Sequence, residues 1–191
     1  MLPQDLRLAR ADDFTALAAI TNHYIRTTAI HFGIDDVTAD ELRTTWLQHQ
    51  DVYPWLCATE GSEVVGYAKA GVWRSRPAYR WITETGIYLR NDRCGRGLGT
   101  RLYRALLGVL RAQGFHAAIG GIALPNAASV ALHERLGFVA SGRIPRAGRK
   151  FDRWHDVGFW FLGLQPSEHV PTDVQTPERV VAMGCIGQFK V

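Results

Sequence analysis

A glycine-rich segment between a strand pattern and a helix pattern constrains the fold of this chain most. The run from Trp81 to Arg90 is largely apolar and predicts a strand, and the segment CGRGLG follows it at residues 94–99. Apolar side chains then recur at helical spacing, at Leu98, Leu102, Ala105, Leu106, Val109 and Leu110. Glycine lets a backbone approach an anion closely, and a helix N-terminus presents unpaired N–H groups. The segment therefore predicts an anion-binding loop that opens a helix.

Three structures are compatible with such a loop taken alone. A nucleotide-binding P-loop needs a lysine directly before Thr100, and none is present. A dinucleotide-binding fingerprint follows the first strand of its unit and has an acidic residue about 20 residues further on. Here the loop lies mid-chain, and the stretch from Gly114 to Ala123 contains no acid. The third alternative, a plain tight turn into a helix, stays open at this point.

The remaining patterns predict a mixed α/β sheet. Two β-like runs, 55–59 and 64–72, are separated by Glu60-Gly61-Ser62-Glu63, which is typical of a hairpin. Further strands are predicted at 115–123, from Phe138 onward and at 157–164, and helices at about 12–25, 38–50 and 126–136. We expect Asp12 to cap the first helix and Gly114 to end the glycine-loop helix. Hairpins early and alternation with helices later indicate one mixed sheet flanked by helices.

Composition excludes several classes of protein. No run approaches the roughly 18 to 20 apolar residues of a membrane span, and the first residues lack the apolar core of a signal peptide. Cys57, Cys94 and Cys185 are too scattered for a disulfide framework or a metal site. The net charge is +4, and 19 of the 22 basic residues are arginines, which bind phosphate and carboxylate well. We expect a cytoplasmic protein with an anionic ligand, no metal, no membrane and no nucleic acid.

A second motif, read together with the glycine loop, points to a known superfamily. About 30 residues after the loop comes PNAASVALHERLGF, an asparagine-led helix that ends in a glycine–aromatic pair. Together the two segments resemble the GNAT superfamily of acetyltransferases. The resemblance implies an α/β GNAT fold over residues 1–164, a single, mostly antiparallel sheet that is splayed in the middle, with acetyl-CoA in the splay. Residues 165–191 are polar and proline-bearing, and we interpret them as a C-terminal tail.

Five shorter segments sharpen the resemblance. NHYI (22–25), YPWL (53–56), AYRW (78–81), AQGF (112–115) and WHDVGFW (154–160) are similar to the phosphinothricin N-acetyltransferase family. Members acetylate the α-amine of glutamate-analogue toxins: phosphinothricin, methionine sulfoximine or sulfone, and arsinothricin. The resemblance implies resistance by detoxification, a small anionic amino-acid substrate, and a homodimer with WHDVGFW at the contact.

Two residues match the catalytic positions of the family. Glu84 lies on the strand that enters the glycine loop, and the resemblance makes it the base that deprotonates the amine. An acid in an apolar run can have a raised pKa, which suits a base near neutrality. His133 stands where many members carry the tyrosine that protonates the departing thiolate. A solvated strand glutamate and an ordinary helix histidine are the alternatives for these two.

The resemblance also assigns the cofactor contacts. One group follows the strand, where backbone donors of Ile87, Tyr88 and Leu89 would line the pantetheine, with Tyr88 acting through its N–H. The others lie on the loop and the next helix, at Cys94, Gly95, Arg96, Gly97, Leu98, Gly99, Thr100, Asn126 and Ser129. Cys94 departs from the arginine or glutamine usual in the family, and we expect a small, partly buried residue there.

For the substrate, the segment GVWRSRPAY offers Arg74, Arg76 and Tyr79. Arginines at i and i+2 of an extended chain point the same way, which suits a dianionic end. The resemblance adds Phe32, Tyr103 and Ala123 to this group. A solvated basic loop is the alternative for the arginines.

Two other functions remain open on the same sequence. One is acetylation of a protein or peptide N-terminus, which would need an open groove. The other is a non-catalytic acyl-CoA-binding module, against which Glu84 and His133 both argue.

Overall fold

The computed structural model describes residues 1–184, and Cys185, Lys190 and the end of the predicted tail lie outside this range. Within it, seven strands form one sheet in the order β1-β2-β3-β4-β5-β7-β6. The strands are β1 Leu6–Leu8, β2 Trp55–Glu60, β3 Glu63–Val72, β4 Ile82–Leu89, β5 Ala117–Leu124, β6 Val139–Lys150 and β7 Arg153–Gly163. The helices are α1 Phe14–Thr27, α2 Ala39–Leu47, α3 Leu98–Gln113, α4 Ala127–Arg135 and α5 Pro177–Ala182. All of the described strand pairs are antiparallel except β4–β5, so the prediction of a mixed, mostly antiparallel sheet is confirmed.

The sheet is splayed between β4 and β5. The two strands pair only from Ile82↔Ala117 to Thr85↔Gly120. Beyond this point β4 stays paired with β3 as far as Leu89, and β5 stays paired with β7 as far as Leu124. The second halves of β4 and β5 therefore diverge and leave backbone groups without a partner strand. This gap positions the site described below.

The helices follow the predicted apolar faces. On α1, the side chains of Phe14, Leu17, Ala18 and Ile25 are buried. The residue at the N-cap of this helix is Asp13, not Asp12 as we expected, and its carboxylate accepts hydrogen bonds from the Arg7 guanidinium. Helix α3 supplies much of the main core, and it ends at Gly114 with a left-handed φ of 97°, as predicted.

The chain after Leu164 does not lie entirely in solvent. Helix α5 packs on α3, and its Val180 is only 2% exposed. The segment that precedes α5 is hydrogen-bonded to Gln113 and Trp81. The side chain of Gln113 donates to Gln175 O at 2.6 Å, and Trp81 donates to Thr172 O at 2.9 Å. The segment we interpreted as a tail thus covers one face of α3 over its described part. Residues 1–184 contain no helix long and apolar enough to cross a membrane.

Candidate active site

Glu84 lies on β4 at the mouth of the splay. In the sheet register it stands opposite Gly71 on β3 and Ile119 on β5, so it is one residue before the last β4–β5 pair. Its side chain is exposed and leans over β5, where its Oε1 lies 3.0 Å from where a Cβ on Gly121 would be. The absence of a side chain at Gly121 therefore leaves room for the carboxylate.

The surroundings of Glu84 raise the pKa of its carboxyl group. Although part of the side chain is exposed to solvent, the partial burial of the carboxyl group raises the pKa of Glu84 above the ordinary carboxyl value, while Lys69 and Arg74 act in the opposite direction. A carboxyl group with a raised pKa holds a proton more strongly and is a better base once ionised. Arg74, in the predicted arginine loop, is therefore within electrostatic range of the Glu84 carboxyl group.

One cavity borders this part of the sheet, and a second lies at the predicted arginine loop. One of about 390 Å³ is bordered by Glu84, Lys69, Trp55 and Tyr88, together with α2. The other, of about 360 Å³, is lined by Arg74, Ser75, Arg76 and Tyr79. The arginine loop is a series of bends leading into a short 3₁₀ turn, not the extended strand we assumed, yet both arginines line the same cavity.

His133 is buried at the other side of the splay. Its Nδ1 lies 2.8 Å from Ser129 O and donates to it, because a carbonyl oxygen can only accept. Its Nε2 is 2.9 Å from the hydroxyl of Tyr103, which is 2.6 Å from Thr85 Oγ1. Burial lowers the pKa of His133, and the Ser129 carbonyl acts in the opposite direction. A neutral imidazole, which donates from Nδ1 to Ser129 O and accepts at Nε2 from Tyr103, has both ring nitrogens hydrogen-bonded.

The hydrogen-bonded chain can accommodate a second arrangement of protons. If Nε2 carries a proton, it donates to Tyr103, Tyr103 donates to Thr85, and Thr85 donates to Ile119 O at 3.1 Å. Each hydroxyl then has one donor and one acceptor partner, whereas with neutral His133 the single hydroxyl hydrogen of Thr85 is donated to Tyr103 instead of Ile119 O. Both ring nitrogens of His133 therefore keep a hydrogen-bond partner in either protonation state.

The glycine loop presents a row of backbone donors. Gly95 and Gly97 have left-handed φ values of 77° and 78°, and α3 begins at Leu98. From Gly95 to Thr100, no backbone N–H has an acceptor among the described residues. Of the nearby cations, Arg96 is exposed, whereas Arg101 pairs with Asp5 at 2.7 Å. Six consecutive N–H groups beside a helix N-terminus suit a pyrophosphate.

The structure brings many of the predicted residues together around a small cavity in the splay. It is lined by Thr85, Gly86, Ile87, Tyr88, Gly121, Ile122, Ala123, Asn126, Ser129 and His133, with Ile30 opposite. Asn126 caps α4 by accepting from Ser129 N at 3.1 Å. Arg90 N donates to Val65 O on β3, and backbone donors alternate along a strand. The N–H groups of Ile87 and Leu89 therefore point into the gap, and that of Tyr88 points to β3, unlike our expectation for Tyr88.

Three predicted residues differ from our expectation in their contacts or in their exposure to solvent. Tyr103 is fully buried and reaches the splay only through His133 and Thr85. Phe32 packs on Gly148 and on His155, with ring centroids 6.3 Å apart, and borders none of the three cavities. Cys94 is exposed rather than partly buried, and its Sγ is 3.9 Å from the hydroxyl of Tyr24.

Sequence reasoning missed Lys69, Gly120 and Gly121. Lys69 borders the cavity of Glu84, and a Cβ on Gly120 would lie 2.5 Å from the imidazole of His133. Their importance depends on the pairing of β3, β4 and β5, and a lysine or glycine inside a strand pattern does not reveal that pairing.

A sheet that opens beside an anion-binding loop, with a carboxylate at its mouth, is the arrangement that the resemblance implies for an acetyltransferase that uses acetyl-CoA. Comparison with known proteins agrees. The family description "Acetyltransferase (GNAT) domain" matches residues 6–158, and the chain belongs to this family.

Relatives and solved structures cover most of the chain. A phosphinothricin N-acetyltransferase from Streptomyces viridochromogenes is 43% identical over 158 residues, 83% of this chain and 86% of that protein. A methionine sulfoximine/methionine sulfone acetyltransferase from Pseudomonas paraeruginosa is 38% identical over 169 residues, 87% of this chain and 98% of the relative. A crystal structure of a phosphinothricin acetyltransferase from Sinorhizobium meliloti with acetyl-CoA superposes with a TM-score of 0.82 and 32% identity, over 87% of this chain and 92% of that one.

Proposed function

We propose that this enzyme transfers the acetyl group of acetyl-CoA to the α-amine of a glutamate-analogue toxin, and so confers resistance. The observation that carries the proposal is the position of Glu84, at the mouth of the splay that suits the thioester and on the border of the cavity that Lys69 also lines. The relatives named for phosphinothricin and methionine sulfoximine support the same class of substrate. Arsinothricin belongs to the proposal because it shares their glutamate-like half.

The base in this proposal is Glu84. An amino acid is mostly protonated on its amine at neutral pH, so a proton must leave before nitrogen can attack. Glu84 accepts that proton, and acetyl-CoA supplies an acetyl thioester. The N–H groups of Ile87 and Leu89 are directed into the gap and are suited to the oxygen on which negative charge develops.

His133 is the proposed source of the proton that the departing sulfur takes up. Its buried hydrogen bonds to Ser129 and Tyr103 hold the ring and engage both ring nitrogens, so proton transfer to the sulfur requires one of these bonds to open. In this proposal Tyr103 acts by positioning His133 and does not contact the substrate.

Substrate selection is assigned to Arg74, Arg76 and Tyr79. A phosphinate end carries two oxygen acceptors that a guanidinium group can bind in a bidentate manner, and a sulfoximine end carries one oxygen and one nitrogen acceptor. The cavity of about 360 Å³ that these residues line suits a compact polar group. Phe32, half-buried beside β6 and β7, is assigned an indirect role in shaping the loop that carries Ile30.

The proposal includes a homodimer and a cytoplasmic location. β6 ends the sheet, and Val139, Ile144, Phe151 and Trp154 on or beside β6 and β7 are all more than half exposed. A strand edge next to exposed apolar side chains suits a second copy of the chain. The cytoplasm is where acetyl-CoA is available.

The test is the release of CoA thiol from acetyl-CoA with four acceptors in parallel: phosphinothricin, arsinothricin, methionine sulfoximine and an N-terminal peptide. The proposal expects turnover of amino-acid analogues and none of the peptide. Turnover of the peptide alone would replace the proposal by protein N-acetylation. Tight binding of acetyl-CoA without turnover of any acceptor would favour a binding module. Light scattering of the same sample measures the oligomeric state.

A further inference from the structure

Lys69 and Glu84 occupy diagonal positions on one face of the sheet. In the register of β3 and β4, Lys69 stands opposite Gly86, and Gly71 stands opposite Glu84. Paired residues and residues two apart on a strand point to the same face, so these four share one side. Diagonal positions of this kind lie about 7 to 8 Å apart, which long side chains can bridge. The two charged side chains therefore face a common space and both border the cavity of about 390 Å³.

Two glycines form the floor of that space. A Cβ on Gly71 would meet nothing within 4 Å, and one on Gly86 would meet only the ring of Tyr88, at 3.7 Å. The sheet surface between the ammonium and the carboxylate is thus an open recess. We call the recess bounded by Lys69, Gly71, Glu84 and Gly86 the head-group recess.

The ammonium of Lys69 lacks an ionic partner within residues 1–184. No carboxylate of the described chain lies within 4.0 Å of it, and it lies over the Trp55 ring, 4.8 Å from Nζ to the centroid. Burial lowers the pKa of Lys69, and Glu84 acts in the opposite direction. His31, on the loop above Tyr88, has its pKa lowered by burial and then by Lys69 and Lys150. A partly desolvated cation without a counter-ion is costly unless an anion joins it.

The chemistry of the recess matches the head group of an α-amino acid. Such a head group carries an amine and a carboxylate on a single carbon. If the amine lies at Glu84, its carboxylate is one carbon away, and a carboxylate directed along the sheet towards β3 meets the ammonium of Lys69 in the recess. The arginine loop lines a separate cavity and remains available for the distal acidic group.

We propose that Lys69 binds the α-carboxylate of the substrate in the head-group recess and so restricts the enzyme to α-amino acids rather than simple amines. This inference rests on the proposed function and adds the selection of the amino-acid head group to it. Lys69 is a specificity-determining residue in this account, and Glu84 remains the base.

The test compares two acceptors that differ only in the α-carboxylate. These are phosphinothricin and 3-aminopropyl(methyl)phosphinate, which keeps the amine and the phosphinate. We expect Lys69→Met to raise KM for phosphinothricin by about 10- to 100-fold, the loss of one charged hydrogen bond. KM for the decarboxylated amine should not rise. Lys69→Arg, which keeps the cation, should restore most of the affinity for phosphinothricin. Arg149→Met, which removes an exposed positive charge paired with Asp152, is the matched control.

The outcomes distinguish failure of the role assigned to Lys69 from failure of the proposed acetyl transfer. If the wild type acetylates phosphinothricin and Lys69→Met weakens both acceptors equally, or neither, the inference is wrong and the proposed function stands. A wild type that uses both acceptors equally well would overturn it in the same way. If the wild type acetylates neither acceptor, the proposed function fails for phosphinothricin, and the inference fails with it. Unchanged acetyl-CoA binding by the variant shows that it is folded.

Discussion

Adding one methyl group at Gly120 should disturb His133 without touching the residues proposed to bind substrate. A Cβ at this position would lie 2.5 Å from both Cδ2 and Nε2 of the imidazole, closer than carbon atoms pack. The ring is 3% exposed and is held at Ser129 and Tyr103, so it cannot move away without stretching a hydrogen bond. Overpacking and a weakened bond together should lower the free energy of unfolding by about 2 to 3 kcal/mol.

For a chain of this length, such a loss should lower Tm by about 4 to 12 °C. A displacement of about 1 Å at a proton donor can reduce turnover by about 100-fold, so kcat for Gly120→Ala should fall by 10- to 100-fold. Thermal unfolding and CoA-thiol release measure the two effects. Gly142→Ala is the matched control, because its Cβ would meet nothing within 4 Å. If Gly120→Ala keeps wild-type Tm and kcat, the assigned position of His133 is wrong.

Three further predictions test the substrate site and the fold. Arg76→Ala should raise KM for phosphinothricin by about 10-fold at nearly constant kcat, unlike Arg149→Ala, and an unchanged KM would remove Arg76 from the substrate site. Burial raises the pKa of Asp13, but its bonds to the guanidinium of Arg7 and to a backbone N–H outweigh this and lower it. The stabilisation from Asp13 is therefore present at neutral pH and lost as pH falls through that lowered pKa. Asp13→Asn should cost about 1 to 3 kcal/mol in urea unfolding at pH 7, and a deficit that persists undiminished at about pH 3 would contradict this. Val180→Asp places an unpaired charge against α3 and should lower the free energy of unfolding by about 3 kcal/mol, whereas an unchanged Tm would mean that α5 does not dock.

The parts of the fold that local patterns encode were predictable. The apolar spacing of α3, its glycine ends and the hairpin of β2 and β3 each depend on residues near one another in the chain. β1, with three residues, is too short to show a period. Helix α5 had a recognisable start, Thr176 followed by Pro177, but the polar composition around it suggested a tail.

The residues of the site were predictable only where they belong to a recognisable sequence motif. Glu84, His133 and the glycine loop belong to recognisable segments, and the structure places them around one splay. Tyr103 was placed on the substrate because helix spacing does not say which buried neighbour its hydroxyl will meet. Lys69 went unnoticed because its relation to Glu84 depends on the β3–β4 register, which brings together residues 15 positions apart in the chain.

The central claim is that Glu84 is the base for acetyl transfer, and the pH dependence of kcat for the wild type and for Glu84→Gln tests it most directly. Glu84 must be ionised to accept a proton, so wild-type kcat should fall as pH drops through its raised pKa, above the range of an ordinary glutamate. In Glu84→Gln, kcat should be lower by at least about 100-fold, this acid limb should be absent, and acetyl-CoA binding should be unchanged. A Glu84→Gln enzyme that keeps near wild-type kcat and the same acid limb would contradict the account.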